Sequence, residues 1–297
     1  MNHSIINSRP VIFGEVLFDC FADGSRVLGG APFNVAWHCQ AFGLQPLFIS
    51  RTGKDPLGDE IQSAMLDWSM DISGLQVDHT HATGIVDVSF DDGEPSYNIV
   101  ENSAWDFIDY QAIPAVDPHS VLYHGSLALR NPVTASSLVN LKQQCSKSIF
   151  IDVNLRPPWW DLPLIENIIH NGRWLKLNID ELRLIVPDKK NTEDRVNHLL
   201  LHPDIELIIV TQGKAGAIAA RQNEWCSTQP DKTVNVIDTV GAGDAFSSVL
   251  LLGLHKAWSL QETLNRAQQF ASAVVGQRGA TTQDKTFYTP FLKAWNL

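Results

Sequence analysis

The stretch DTVGAGDAFSS, residues 238–248, places a glycine-rich turn directly before an apolar helix. Gly241, Ala242 and Gly243 have little or no side chain, so the backbone N–H groups of the turn can approach a ligand closely. The helix that follows adds the positive end of its dipole, which favours binding of an anion. Two interpretations of Asp244 follow: it caps the helix, or it takes a proton from a hydroxyl group that attacks the bound anion.

Short apolar runs alternate with helical patterns over most of the chain. Predicted buried strands cover residues 10–18, 46–53, 120–126, 148–154, 173–178 and 206–213, and predicted helices cover residues 33–43, 59–68 and 133–145. This alternation predicts a mostly parallel central sheet with helices on both faces, a three-layer α/β/α sandwich. In such sheets, ligands bind beyond the carboxyl ends of the strands.

Two regions depart from this alternation. Residues 84–101 alternate apolar and polar side chains around a DDGEP turn, which predicts a hairpin with one solvated face, and residues 215–237 resemble short antiparallel strands. The sequence contains no linker-like or repeated segment. We therefore expect residues 1–297 to form one α/β domain with a small β appendage.

The chain of 297 residues carries a formal net charge of −11. This acidic balance argues against a nucleic-acid partner, because phosphate backbones select for basic surfaces. The N-terminus lacks an apolar signal core, the longest apolar run is too short to span a bilayer, and the cysteines form no CxxC pair. We expect a cytoplasmic protein with no membrane partner.

Two further junctions between predicted strands and helices carry polar side chains. In NIDE, residues 178–181, Asn178 and Glu181 form either a capping box or a site that holds Mg²⁺ through water. In GGAPFN, residues 29–34, Asn34 offers a donor and an acceptor to a ligand hydroxyl group, or is a buried residue with internal partners. Asp19 accepts hydrogen bonds from sugar hydroxyl groups or begins a turn.

Together these motifs resemble the ribokinase-like (PfkB) carbohydrate kinases. DTVGAGDAF (238–246) matches the C-terminal signature of that family, and residues 29–61 match its N-terminal signature. NIDE matches the family's NxxE element, and TQGKAG (211–216) matches its nucleotide loop. The resemblance extends over nearly the whole chain, and the motifs occur in the order typical of the family.

The resemblance implies ATP-dependent phosphorylation of a sugar hydroxyl group. Asp244 would be the general base, and the turn of Gly241, Ala242, Gly243 and Asp244 would be the anion hole. The implied cofactors are ATP and Mg²⁺. The remaining roles implied by the resemblance are sugar binding by Asp19, Gly29, Gly30 and Asn34, nucleotide binding by Asn178, Thr211, Gly213 and Gly216, and organisation of Mg²⁺ by Glu181 and Asn178.

Two positions implied by the resemblance have open alternatives. Arg156 is either a cationic contact near the phosphates or sugar, or a member of a surface ion pair. Asp238 and the backbone near Gly279 match the region where many relatives bind a monovalent cation such as K⁺. Val240 has no side-chain oxygen, which argues against activation by K⁺.

The pattern looks most like the bacterial fructokinases of this family. The stretches that carry this likeness are GGAP (29–32), GEVLFD (14–19), ATGIVDV (82–88) and HGSLALR (124–130). Fructose is therefore the first candidate substrate. Alternatives are 2-keto-3-deoxygluconate, ribose or a nucleoside as substrate, and a catalytically silent sugar-binding regulator on the same fold. By similarity, residues 15–28 and 82–104 form a β lid over the sugar, and two copies of this lid can pair in a homodimer.

Overall fold

The computed structural model describes residues 8–91, 94–145, 148–231 and 236–297. The strands are β1 (Val11–Phe13), β2 (Leu17–Phe21), β3 (Arg26–Gly29), β4 (Leu47–Gly53), β5 (Leu75–Asp78), β6 (Gly84–Asp91), β7 (Glu94–Ile99), β8 (Leu122–His124), β9 (Ile149–Asp152), β10 (Trp174–Asn178), β11 (Leu207–Thr211), β12 (Ala217–Arg221) and β13 (Glu224–Thr228). The α-helices are α1 (Ala31–Ala41), α2 (Pro56–Asp67), α3 (Pro132–Gln144), α4 (Leu162–Ile169), α5 (Ile179–Ile185), α6 (Thr192–Leu200), α7 (Ala242–Lys256), α8 (Leu260–Val274) and α9 (Thr289–Trp295).

The large sheet has the order β13-β12-β11-β10-β9-β8-β1-β4-β5. Its strands from β11 to β5 pair in parallel, while β12 and β13 add antiparallel pairs at one edge. This arrangement confirms the mostly parallel sheet expected from the sequence. It also confirms the short antiparallel strands expected within 215–237, apart from residues 232–235, which lie outside the described residues.

Helices pack on both faces of the large sheet. Successive residues of a strand point to opposite faces, so neighbours along β1 pack against different helices. Ile12 packs in a core cluster with residues of α1, α7 and α8. Its neighbours Val11 and Phe13 pack in a second cluster with residues of α3. Residues of α4, α5 and α6 pack on β9, β10 and β11 in a further cluster. The three-layer α/β/α prediction is therefore confirmed.

A second, smaller sheet has the order β3-β2-β6-β7. It contains the hairpin expected within residues 84–101, of which residues 92 and 93 at the tip lie outside the described residues. The prediction of one strand over residues 10–18 is wrong. β1 ends at Phe13 in the large sheet, and β2 begins at Leu17 in the small sheet.

The break between β1 and β2 has a steric cause at Gly14. This residue has a φ of +150°, and a Cβ atom there would lie 2.5 Å from Cγ of Pro32 at the start of α1. The chain therefore leaves the large sheet where only a glycine fits. As a consequence, Asp19 lies in the middle of β2, and the interpretation that Asp19 begins a turn is wrong. Among the described residues, no helix is long and apolar enough to cross a membrane.

Candidate active site

The carboxyl ends of β9, β10 and β11 bring polar side chains together at one edge of the large sheet. Asn178 is in register with Thr211, and Lys176 is in register with Asp152. These are parallel strands, so their carboxyl ends meet at the same edge. Two of the predicted nucleotide-binding residues, Asn178 and Thr211, therefore lie side by side.

The turn before α7 is open at the N-terminus of the helix. Gly241 is the N-cap residue and has a φ of +77°, and a Cβ atom there would lie 2.3 Å from the Cβ atom of Ala280. No side chain caps this helix. Asp244 is the third helical residue, so the interpretation of Asp244 as a helix cap is wrong. The turn is anchored by Asp238, which accepts hydrogen bonds of 3.0 Å from the N–H groups of Val240 and Gly279.

Asp244 has its hydrogen-bond partner on a different helix. Nδ2 of Asn34, which lies one turn into α1, donates a hydrogen bond of 2.8 Å to Oδ2 of Asp244. Among the residues that the structure describes, Oδ1 of Asn34, the other polar atom of this buried amide, has no hydrogen-bond partner. The structure therefore joins the predicted general base to a predicted sugar-binding residue and leaves an acceptor atom beside them.

Burial raises the pKa of Asp244 from 3.8 to about 6. The hydrogen bond from Asn34 lowers this pKa, the charge of Asp152 raises it, and the charges of Lys176 and Arg156 lower it. The balance leaves a carboxylate that is largely ionised at neutral pH and is a stronger base than an exposed aspartate. A pKa near the working pH is what general-base catalysis requires.

A buried ion pair lies beneath this turn and was not identified from the sequence. Oδ2 of Asp152 accepts hydrogen bonds from Nζ of Lys176 at 2.7 Å, from the hydroxyl group of Tyr123 at 3.0 Å, and from Oγ of Ser247 at 2.7 Å. The ammonium group of Lys176 lies 3.3 Å from the position that a Cβ atom would take on Gly243. The anion hole predicted at residues 241–244 therefore has a lysine charge directly behind it. One indication of this pair was present in the sequence: Asp152 and Lys176 are the single charged residues of β9 and β10, whose other residues are mostly apolar.

Asn178 and Glu181 form the capping box considered in the sequence. Oδ1 of Asn178 accepts hydrogen bonds from the N–H groups of Asp180 and Glu181, each at 2.9 Å. The carboxylate of Glu181 accepts hydrogen bonds of 2.8 Å from the N–H groups of Asn178 and Leu155. Glu181 is only 6% exposed, and burial raises its pKa. With both carboxylate oxygens held by backbone donors, any contact between Glu181 and Mg²⁺ fits best through water.

The predicted nucleotide loop begins where β11 ends. Thr211 is the last residue of β11, and Gly213 and Gly216 both have positive φ angles in the tight turn that leads to β12. The N–H group of Gln212 donates a hydrogen bond of 2.8 Å to the carbonyl oxygen of Gly216, which closes the loop. The loop therefore starts beside Asn178 at the same sheet edge.

The charge of Arg156 acts on both Asp19 and Asp244. It lowers the pKa values of Asp19 and Asp244, although burial is the larger influence on each and raises both. Arg156 is exposed, and its Nη1 donates a hydrogen bond of 3.0 Å to the carbonyl oxygen of Leu155. Within the described parts of the chain, Arg156 forms no ion pair within 4.0 Å, so the surface ion pair considered from the sequence is not formed.

The family model for the pfkB family carbohydrate kinases matches residues 19–286. The chain belongs to this family. The resemblance found in the sequence is thereby confirmed.

Relatives of this pfkB kinase include bacterial fructokinases. A fructokinase from Salmonella typhimurium is 28% identical over 93% of this chain and 96% of its own length. A fructokinase from Klebsiella pneumoniae is 30% identical over 84% of this chain and 85% of its own length. A double mutant of fructokinase from Vibrio cholerae O395, in a form with bound fructose, ADP and potassium ion, matches with a TM-score of 0.83 and 27% identity, covering 97% of this chain and 99% of that chain.

Proposed function

We propose that this pfkB kinase transfers the γ-phosphoryl group of ATP to a hydroxyl group of fructose. The observation that carries the proposal is the pairing of Asp244 with Asn34 at a helix N-terminus that no side chain caps. A carboxylate with a raised pKa beside an open anion-binding turn suits proton removal from an attacking hydroxyl group. Fructose is favoured because fructokinases are among the relatives and one related structure contains fructose and ADP.

Asp244 would act as the general base. The amide of Asn34 holds Oδ2 of Asp244, which leaves Oδ1 to accept the proton of the sugar hydroxyl group. The unpaired Oδ1 of Asn34 would accept a hydrogen bond from a neighbouring hydroxyl group of the same sugar. These two contacts would set the hydroxyl oxygen in line with the terminal phosphoryl group, and positioning supplies much of the rate enhancement in such transfers.

The turn at residues 241–244 would stabilise negative charge on the transferring group. Its N–H groups at Gly243 and Asp244 belong to the first turn of α7, where the helix dipole is positive. The ammonium group of Lys176 lies behind Gly243 and presents the positive end of its buried ion pair with Asp152, not a net charge. Donors that are held in place before the reaction stabilise developing charge without reorganisation.

ATP would bind along the edge formed by Asn178, Thr211 and the loop with Gly213 and Gly216. Mg²⁺ bound with ATP would neutralise charge on its phosphate groups. Asn178 and Glu181 fit this ion as partners of its coordinated water, because Mg²⁺ retains much of its hydration shell. One related structure contains a potassium ion, and the region of Asp238 and Gly279 is where such an ion would bind here; because Val240 offers no side-chain oxygen there, we do not propose that K⁺ activates this kinase.

The small sheet β3-β2-β6-β7 would be a lid over the sugar. Asp19 lies in β2 of this sheet, and its Oδ2 is 3.8 Å from the position that a Cβ atom would take on Gly29. This places the acid beside the Gly29–Gly30 pair that the resemblance assigns to sugar binding. Closure of the sheet would exclude water and limit hydrolysis of ATP. The homodimer that pairs two such lids stays a prediction.

The test is ADP release from Mg·ATP with fructose, ribose, 2-keto-3-deoxygluconate, fructose 6-phosphate and nucleosides as acceptors. We expect turnover with fructose that is lost in the variant Asp244→Asn. Turnover with another acceptor alone would retain the kinase mechanism and contradict the choice of fructose. Release of no ADP with any acceptor, together with a sugar-induced rise in melting temperature, would favour the silent sugar-binding regulator.

A further inference from the structure

Glu15 is a buried carboxylate with an unpaired oxygen atom. It lies between β1 and β2, next to Gly14, and is only 3% exposed. Its Oε2 atom is enclosed and has no hydrogen-bond partner in the described part of the chain. Burial raises the pKa of the Glu15 carboxyl group, and a hydrogen bond from the backbone N–H group of Glu15 itself lowers this pKa by less. The acceptor atom of Asn34, Oδ1, is enclosed and unpaired in the same way.

Glu15 belongs to the same cluster as the predicted sugar-binding residues. A Cβ atom on Gly30 would lie 2.6 Å from the carbonyl oxygen of Glu15, so the chain at Glu15 packs against the start of α1. Among the charged groups that act on the Glu15 carboxyl group are Arg156 and Asp244. Arg156 also acts on Asp19 and Asp244. The chain at Glu15 is therefore a neighbour of the start of α1, where Asn34 holds Asp244, and the hydroxyl groups of a sugar would lie beside these residues.

No cation nearby is committed to Glu15. Arg130 also acts on its carboxyl group, but both carboxylate oxygens of Asp106 hold Arg130, at 2.7 Å and 2.8 Å. The guanidinium group of Arg130 is also stacked between the rings of Trp105 and Trp159. Arg156 is exposed and bonds the Leu155 carbonyl oxygen. The acids Glu15, Asp19 and Asp244 thus outnumber the free cationic group in this region.

An enclosed carboxylate without full hydrogen bonding destabilises the free protein. Leaving a buried polar group unpaired costs free energy, and the cost is larger when the group is charged. Burial raises the pKa of Glu15 from 4.5 to about 7, which reflects the same cost. Buried polar atoms without a hydrogen-bond partner are rare in folded proteins, and the loss of stability that they cause is most often found at functional sites.

We propose that Glu15 is a specificity-determining residue of the sugar site: its Oε2 accepts a hydrogen bond from a hydroxyl group of the sugar, and its charge, with that of Asp19, disfavours anionic sugars. The inference rests on the proposed sugar-kinase function and narrows its substrate class to neutral polyhydroxy sugars. Sugar acids and sugar phosphates would bring a second negative charge against this cluster, and like charges in a buried site repel strongly.

The test compares Glu15→Gln with the control Asp78→Asn at pH 8, where the Glu15 carboxyl group is ionised. Asp78 is also 3% exposed, but it is fully engaged by Arg51, His81 and the N–H group of Thr80. Glu15→Gln removes the charge but retains one acceptor oxygen, so we expect KM for fructose to rise about tenfold, the scale of exchanging a charged acceptor for a neutral one in a hydrogen bond. KM for ATP should stay unchanged, and the melting temperature of the free variant should not fall. Asp78→Asn should lower the melting temperature and leave both KM values unchanged.

A second measurement tests whether the site discriminates between neutral and anionic sugars. The ratio of kcat/KM for fructose to that for 2-keto-3-deoxygluconate should fall about tenfold in Glu15→Gln, because the repulsion from one carboxylate is removed. Glu15→Asp retains the charge but shortens the side chain, so it should raise KM for fructose and preserve the ratio. This variant also supplies the KM test if Glu15→Gln does not fold.

The outcomes separate this inference from the proposed function. Wild-type turnover on fructose with an unchanged KM in both Glu15 variants would overturn the inference and leave the proposed function intact. A lower melting temperature of Glu15→Gln with unchanged KM would show that Glu15 is a structural residue and would also overturn the inference. If the wild type releases no ADP with any sugar, the proposed function fails and the inference fails with it.

Discussion

Helices α5 and α7 share an acidic third residue but differ in the structure of their N-termini. Each helix carries an acid as its third residue, Glu181 in α5 and Asp244 in α7. In α5 the N-cap residue is Asn178, and the carboxylate of Glu181 accepts a hydrogen bond from the N–H group of Asn178. In α7 the N-cap residue is Gly241, and the acid accepts a hydrogen bond from Asn34 of another helix.

The comparison shows that the N-cap residue decides what the following acid can do. A capping side chain at Asn178 satisfies the first N–H groups of α5, and its acid completes the box. A glycine at position 241 provides no such group, so the first turn of α7 remains open to an anion. One acid therefore stabilises a helix, and the other is available for chemistry.

The largest effect should come from removing the base in α7. Asp244→Asn retains an acceptor for the Asn34 amide but cannot take a proton at neutral pH. We expect kcat for sugar phosphorylation to fall by about 10²–10⁴-fold, the usual contribution of a general base. Steady-state ADP release measures this, with the circular dichroism spectrum as the control for folding. Near-wild-type turnover by the folded variant would contradict the role of Asp244.

The same acid-to-amide change should have opposite effects on stability at the two helices. Glu181→Gln places an NH₂ group against a backbone N–H group of Asn178 or Leu155, and an unpaired buried donor costs about 1–3 kcal/mol. We expect urea unfolding at pH 8 to show a lower free energy of unfolding for Glu181→Gln. Asp244→Asn should be at least as stable as the wild type under the same conditions.

The direction of the expected stability change in Asp244→Asn follows from the raised pKa of Asp244. The folded protein binds the Asp244 proton more tightly than the unfolded chain does, so this group favours folding below pH 3.8 and loses that contribution as the pH rises through about 6. At pH 8 the ionised carboxylate is therefore unfavourable, and an amide removes the cost. Burial raises the pKa of Glu181 as well, so the opposite effect at α5 rests on the backbone N–H donor that would then face an NH₂ group. Equal losses of stability in Glu181→Gln and Asp244→Asn would contradict the distinction between the two helices.

A smaller effect should come from Asn34, which joins α1 to the base. We expect Asn34→Ala to raise KM for the sugar about tenfold and KM for ATP less, since one hydrogen bond to the ligand is lost. The matched control is Asn191→Ala, which removes the N-cap of α6. The control should cost about 0.5–2 kcal/mol of stability and leave both KM values unchanged. Equal increases of both KM values in Asn34→Ala would count against sugar binding by Asn34.

Motifs with local geometry could be predicted from the sequence. The turn at 238–248, the NIDE capping box and the alternation of strands and helices each depend on neighbours within a few residues. For this reason the layered fold, the hairpin of β6 and β7, and the positions of the junctions were predicted. The split of residues 10–18 into β1 and β2 could not be, because it depends on the contact of Gly14 with Pro32 in another element.

Pairings across long separations in the chain were also missed. Asp152 and Lys176 lie on neighbouring strands and meet Ser247 of α7, which is 95 residues beyond Asp152. The run PVIFGEVLF gave no sign that Glu15 is enclosed with an unpaired oxygen, because apolar neighbours predict burial but not hydrogen-bond partners. Such features arise from packing of the sheet against α1 and α7, and this packing is not encoded in any short stretch.

The most direct test of the account is the pH dependence of kcat at saturating fructose, measured from pH 8 to pH 5. Saturation removes the influence of Glu15 on sugar binding, so the profile reports the base in the substrate complex. We expect kcat to fall with a midpoint near pH 6 in the wild type, and the residual activity of Asp244→Asn to show no such fall. A constant kcat down to pH 5 in the folded wild type would contradict Asp244 as the general base.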